Sequence, residues 1–211
     1  MTWDQWLGFF VASWVISLSP GAGAVASMAT GQRVGFRRGY WNVAGLQAAL
    51  ILQMVIVAAG LGAVLAASET AFALIKWFGV GYLLYLGWKQ WSAADGAGLT
   101  AGDASADIGA ARMVLRGFLV NMSNPKAIVF LLAVLPQFLD VSRPVLIQYV
   151  WMTVTMVLVD TVVMMGYTGL ASRLLRALQS AAQRKFLNRT FGSLFMAAAG
   201  LLALTHRGGN L

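Results

Sequence analysis

Cysteine is absent from the 211 residues, which excludes a structural disulfide, a thiolate metal site and thiol-based electron transfer. Charge is scarce as well: 10% of the residues are Asp, Glu, Lys or Arg, against about 25% in a soluble domain. Acidic residues number seven and prolines four, while 59% of the chain is hydrophobic and mean hydropathy is +0.74. Such a chain is expected to be an all-α polytopic membrane protein folded as one domain, 1–211. Its single histidine, His206, falls at the outer end of the last apolar stretch, and no HExxH or Gly-x-Ser-x-Gly pattern occurs. An enzyme, a metal site and a cofactor are therefore not expected.

The net charge of +8 is explained by where the cations sit. Arg33, Arg37, Arg38, Lys89, Arg112, Arg116, Arg173, Arg176, Arg184, Lys185 and Arg189 fall in three short connecting regions. That pattern is a topology signal and a contact for lipid headgroups, not a nucleic-acid footprint. Six apolar stretches are long enough to span about 30 Å of hydrocarbon: Trp6–Ala29, Asn42–Ala67, Phe72–Trp88, Val114–Leu139, Val145–Leu170 and Leu187–Leu204. The basic connections alternate along the chain, so placing them in the cytoplasm puts both termini outside.

Residues 92–111, rich in Ala, Gly and Asp, read as a flexible cytoplasmic linker. They divide the chain into a first three-helix unit, 1–91, and a second, 112–211. The first begins outside and the second inside, which makes any repeat an inverted one. Ser172–Asn188 is amphipathic and reads as a helix on the inner membrane surface.

Each unit opens on a stretch broken at mid-depth, at Ser19-Pro20-Gly21 and at Ser123-Asn124-Pro125-Lys126. Proline removes a backbone donor and clashes with the preceding turn, so each stretch is expected to split into half-helices. Proline is expected at the first position of each second half-helix, with the remaining free N–H groups aimed into a cavity suited to a carboxylate. A simple packing kink is the bland alternative, and two matched kinks beside polar residues argue against it.

Lys126, near the middle of its span, costs about 2.5–3.5 kcal/mol on insertion scales and must face water or an anion. Asp160 is the one acidic residue inside a span. Structural roles are the competing readings: an ion pair for Lys126 and a helix-locking hydrogen bond for Asp160. Together the groups suggest a binder of zwitterions. Lys126 and the helix N-termini take the carboxylate, and Asp160 takes the ammonium or a coupling proton. The expected substrate-binding set is Ser19, Pro20, Gly21, Gln47, Asn121, Asn124, Pro125, Lys126 and Asp160. An uncoupled pore for small polar solutes is the alternative function. Glycine pairs Gly60/Gly62 and Gly79/Gly81 suit close helix packing within or between chains, which leaves a homo-oligomer open.

Leu18-Ser19-Pro20-Gly21, Ala44-Gly45-Leu46-Gln47, Gly81-Tyr82-Leu83-Leu84-Tyr85-Leu86-Gly87, Asn121-Met122-Ser123-Asn124-Pro125-Lys126 and Pro136-Gln137-Phe138 resemble the LysE/RhtB superfamily of bacterial amino-acid exporters. The likeness extends over essentially the whole chain. Ser-Pro-Gly-Ala-Gly-Ala at 19–24, with Val159-Asp160 ahead of Met165-Gly166-Tyr167, is similar to the homoserine/homoserine lactone exporters. Ala22 stands where the broader family often has a second proline, a departure that fits this subgroup. The resemblance implies efflux of a small neutral amino acid or derivative (homoserine, its lactone, or threonine) in exchange for protons. It also implies the bacterial inner membrane as the location.

Overall fold

The computed structural model describes residues 1–67, 69–92, 109–140, 142–170 and 181–204. Nearly all of them are helical, and none is in a strand. The helices are α1 (Trp3–Leu18), α2 (Ala22–Ala67), α3 (Glu69–Trp91), α4 (Ala110–Met122), α5 (Pro125–Val134), α6 (Val145–Gly169) and α7 (Ala181–Leu204). A 3₁₀ turn, Leu135–Phe138, continues α5. The expected linker lies almost wholly outside the described residues, as do 172–180 of the expected surface helix and His206. From Ala181 onward the amphipathic segment is continuous with α7, which begins before the expected Leu187.

Among the described residues, two helices are long and apolar enough to cross a membrane, α2 over Ala22–Gly60 and α6; α4 with Pro125–Phe138 makes a third if that pair, bent by 54°, is one span. α1, with 16 residues, is too short to cross alone, and α3 and α7 each include residues whose side chains lie outside the described set.

The connection expected between Ala29 and Asn42 is helix, interrupted at a single residue. Gly35 has φ 76° and ψ 174°, a region that is essentially glycine's alone. The stretch Ala22–Gly60 has 39 residues, which would extend about 58 Å if straight, nearly twice the hydrocarbon thickness. It does not stay straight. A Cβ built on Gly39 would lie 3.6 Å from Gly31 Cα, whereas eight residues of straight helix rise about 12 Å. The chain therefore turns sharply back at Gly35, and its two arms close on α6. A Cβ on Gly31 would strike the Thr168 carbonyl oxygen at 2.1 Å, and one on Gly39 would strike Thr168 Cγ2 at 2.6 Å.

Bare backbone also sets the other crossings. Gly45 on α2 lies against the Val114 carbonyl, and Gly117 on α4 against the Asn42 carbonyl, with no space for a side chain at either. Gly87 on α3 and Gly192 on α7 make a second such pair. Of the glycines noted for close packing, Gly60 and Gly81 have nothing within 4 Å of their Cβ positions inside this chain, while the Cβ positions of Gly62 and Gly79 lie outside the described set. The main core gathers Phe9, Leu131, Leu135 and Met152 from α1, α5, the 3₁₀ turn and α6, all fully buried. A smaller cluster, Val43, Leu46, Val163 and Met164, joins α2 to α6. The helix breaks lie between these two cores.

Candidate functional site

Proline bars the residue before it from the helical basin, and this ends both first half-helices. Ser19, before Pro20, has φ −68° and ψ 121°. Asn124, before Pro125, has φ −82° and ψ 100°. The restarts differ from each other. Pro125 is the first residue of α5, as expected. Pro20 lies two residues before the first residue of α2, Ala22, because Gly21 is the cap, its carbonyl accepting from Val25 N at 3.0 Å.

The two N-termini also differ in their free donors. At α5, Asn124 Oδ1 accepts from Lys126 N (3.2 Å), and the Asn124 carbonyl accepts from Ala127 N (3.1 Å). That end satisfies itself, contrary to the expectation that its amides face a ligand. Asparagine at the cap supplies the missing acceptor. The cap of α2 is Gly21, which has no such side chain, and the amides of Gly23 and Ala24 have no acceptor among the described residues. Both residues are buried at a cavity wall.

That cavity lies between the breaks and has a volume of about 50 Å³. Its polar walls are Ser17, Ser19, Asn121, Asn124, Lys126 and Asp160; Leu46, Leu50, Leu131, Met156 and Met164 supply much of the rest. Gly21 lies at the edge, its Cβ position 3.4 Å from Lys126 Nζ. The two prolines are not part of the wall. Pro20 is half-buried and Pro125 exposed, as suits rings that set the backbone while their neighbours turn inward.

Lys126 Nζ donates to the Ser19 carbonyl at 2.5 Å and lies 5.9 Å from the centre of the Phe195 ring on α7. The ammonium thus meets the carbonyl end of α1, where the helix dipole favours a cation. Asp160 Oδ2 accepts from Gln47 Nε2 at 2.7 Å. Lys126 and Asp160 form no ion pair with each other; each is held by a neutral group on the far half of the protein. Asn121 Nδ2 donates to the Leu46 carbonyl, and Gln53 Nε2 donates to the Asn121 carbonyl, both at 2.8 Å. Those bonds tie the α4–α5 break to α2. Gln47 does not touch the cavity itself and reaches it through Asp160.

Sequence reasoning missed Ser17, whose buried hydroxyl lies beside Asp160 with no hydrogen-bond partner of normal geometry. Tyr167, one of the polar residues of the fifth expected span, makes an interhelical bond: its hydroxyl donates to the Leu18 carbonyl at 2.7 Å. Ser19 Oγ and Gln47 Oε1 are likewise buried and unpaired. The helical spacing of Ser13 and Ser17 was the available signal for a polar stripe on α1. A cavity of about 150 Å³ is what accommodates benzene. At about 50 Å³ this one has space for a few waters and, in this conformation, none for an amino acid.

The LysE type translocator family model matches residues 14–206. A homoserine/homoserine lactone efflux protein of Salmonella typhimurium is 42% identical over 203 residues, covering 96% of this chain and 98% of its own. A membrane protein of Vibrio cholerae is 41% identical over 198 residues, 94% of this chain and 96% of its own. A leucine efflux protein of Klebsiella pneumoniae is 30% identical over 138 residues, 65% of each chain. No solved structure matches. With a family match across nearly the whole chain and a site walled by its two broken helices, the protein belongs to the LysE-type translocators.

Proposed function

We propose that the protein exports a small neutral amino acid or its derivative, with homoserine and homoserine lactone the first candidates and threonine next, in exchange for protons. It does so as a six-span protein of the bacterial inner membrane, built from two inverted three-helix units, 1–91 and 112–211, with both termini on the periplasmic side. Membrane lipid and the solute are its partners, and a homo-oligomer stays open.

The observation that carries this reading is one cation and one anion, unpaired with each other, in one cavity between two broken helices. Opposite charges held apart by neutral partners suit a zwitterion, which brings an anion for the ammonium and a cation for the carboxylate. The solute carboxylate takes Lys126 from the Ser19 carbonyl and reaches the uncapped amides of Gly23 and Ala24. Its ammonium displaces Gln47 from Asp160, and between solutes Asp160 carries the exchanged proton. Pro20 and Pro125 break the backbone, while Ser19, Gly21, Asn121 and Asn124 shape the walls. Loss of the Lys126–Ser19 contact frees the end of α1, which is how occupancy becomes helix movement. The names of the relatives support the solute class.

Reconstitution tests the reading. Liposomes loaded with labelled homoserine and placed across an imposed pH gradient are expected to give saturable flux that collapses with the gradient. Unsaturable leak, indifferent to pH, would favour the pore.

A further inference from the structure

A serine or threonine inside a helix has a ready acceptor in the carbonyl four residues back. Ser13, Thr30, Thr153 and Thr168 all use it, at 2.7 to 2.8 Å. Ser17 does not. Its residue is 3% exposed, and its hydroxyl faces the Asp160 carboxylate across the cavity wall without closing a hydrogen bond of normal geometry. Ser19, 2% exposed, contributes a second unpaired buried hydroxyl from the same wall. Two polar groups withheld from the available backbone acceptors are a poor way to build a core and a good way to meet an oxygen on a ligand.

We infer that Ser17, assisted by Ser19, is a specificity-determining residue that reads an oxygen on the solute's side chain. The site thereby selects hydroxyl- or ester-bearing amino acids over aliphatic ones of equal size. This rests on the export reading above. In homoserine the hydroxyl oxygen is four bonds from the amine nitrogen, so a solute whose ammonium meets Asp160 brings that oxygen to Ser17, the neighbour of Asp160. An aliphatic side chain of the same length leaves both serine hydroxyls buried without partners, and sites that hydrogen-bond a hydroxyl reject the analogue lacking it.

Norvaline is homoserine with a methyl in place of the hydroxyl and is the probe of choice. In liposomes, wild-type protein is expected to favour homoserine over norvaline by about tenfold or more in transport efficiency. Ser17→Ala is expected to bring that ratio to within about threefold by slowing homoserine far more than norvaline. Ser17→Thr, which keeps the hydroxyl, restores the preference. Because the hydroxyl closes no hydrogen bond of normal geometry in the protein, Ser17→Ala should melt close to wild type, so a folding defect is separable from a loss of selection. Equal slowing of both solutes with the ratio retained, or a marked fall in melting temperature, makes the hydroxyl structural and overturns the inference. A wild-type ratio near one overturns it with export intact. Wild-type protein that carries neither solute overturns the export reading and this inference with it.

Discussion

At the scale of single residues, the charged groups decide most. Lys126 and Asp160 are tethered by bonds that a zwitterion can replace, Lys126 to the Ser19 carbonyl and Asp160 to Gln47. Asp160→Asn keeps a side chain able to bond Gln47 but cannot carry a proton. It is expected to insert and fold while losing at least about tenfold in gradient-driven homoserine flux, the equivalent of 1.4 kcal/mol at the transition state. Normal gradient-driven export by that variant would remove Asp160 from the coupling. Asp140 behaves differently, outside the spans. The Ser142 hydroxyl bonded to Oδ1 holds its carboxyl below the ordinary range, with the Ser142 amide and Arg143 adding to the effect. A lowered folded value means that Asp140 stabilises the loop above its unfolded value, and that this is lost as pH falls through the lowered one. The gap in melting temperature between wild type and Asp140→Asn should therefore be present at neutral pH and close on acidification. Both intramembrane charges were legible in the sequence, because an ion in an apolar run stands out in one dimension. Their partners were not: a backbone carbonyl 107 residues away leaves no mark in composition or spacing. Ser17 was invisible for a related reason, since only the structure shows that it declines the acceptor its neighbours use.

At the scale of helices, proline announced itself and glycine did not. Both breaks were readable because proline restricts the residue before it wherever it occurs, and Ser19 and Asn124 have the extended backbone that follows. The turn at Gly35 was not, because it is one of 23 glycines, and only its φ of 76° distinguishes it. The glycine crossings Gly45/Gly117 and Gly87/Gly192 were not read for a related reason: spacing gives which residues share a face, not which face meets another helix. The consequence is measurable. Gly45→Val would drive a side chain into the Val114 carbonyl, whose oxygen lies 2.0 Å from the Cβ position. Overpacking against backbone, which cannot rotate away, is expected to cost about 3 kcal/mol or more, seen as loss of the monodisperse species in detergent. Gly81→Ala, with open space at its Cβ position, is the matched control, expected to be neutral or to stabilise by up to about 1 kcal/mol through helix propensity. Equal tolerance of both changes would mean that the α2–α4 crossing is looser than described.

At the scale of the whole molecule, the open question is how many times the chain crosses the bilayer. Among the described residues, length and composition qualify two helices, or three with the bent pair, and the proposal needs six spans. The other three would be α1 with the first arm of α2, α3 and α7. α1 has 16 residues, about 24 Å of helix, but together with the arm of α2 before Gly35 it exceeds the hydrocarbon thickness as one broken span. The two counts place particular residues on opposite sides of the membrane, and a chain without cysteine allows the test without background. Asp4, Gln32, Ser92 and Ser142 are exposed and lie beside successive expected spans. A membrane-impermeant thiol reagent is expected to label Asp4→Cys and Ser142→Cys once the outer membrane is opened. Gln32→Cys and Ser92→Cys should stay protected until the inner membrane is broken. Gln32 is the decisive position: if α1 and the first arm of α2 lie on the surface without crossing, Gln32→Cys reacts from the same side as Asp4→Cys. That result would leave the first unit with an even number of crossings. The inverted relation between the units would then be lost, and with it the reason for the two breaks to meet at mid-depth.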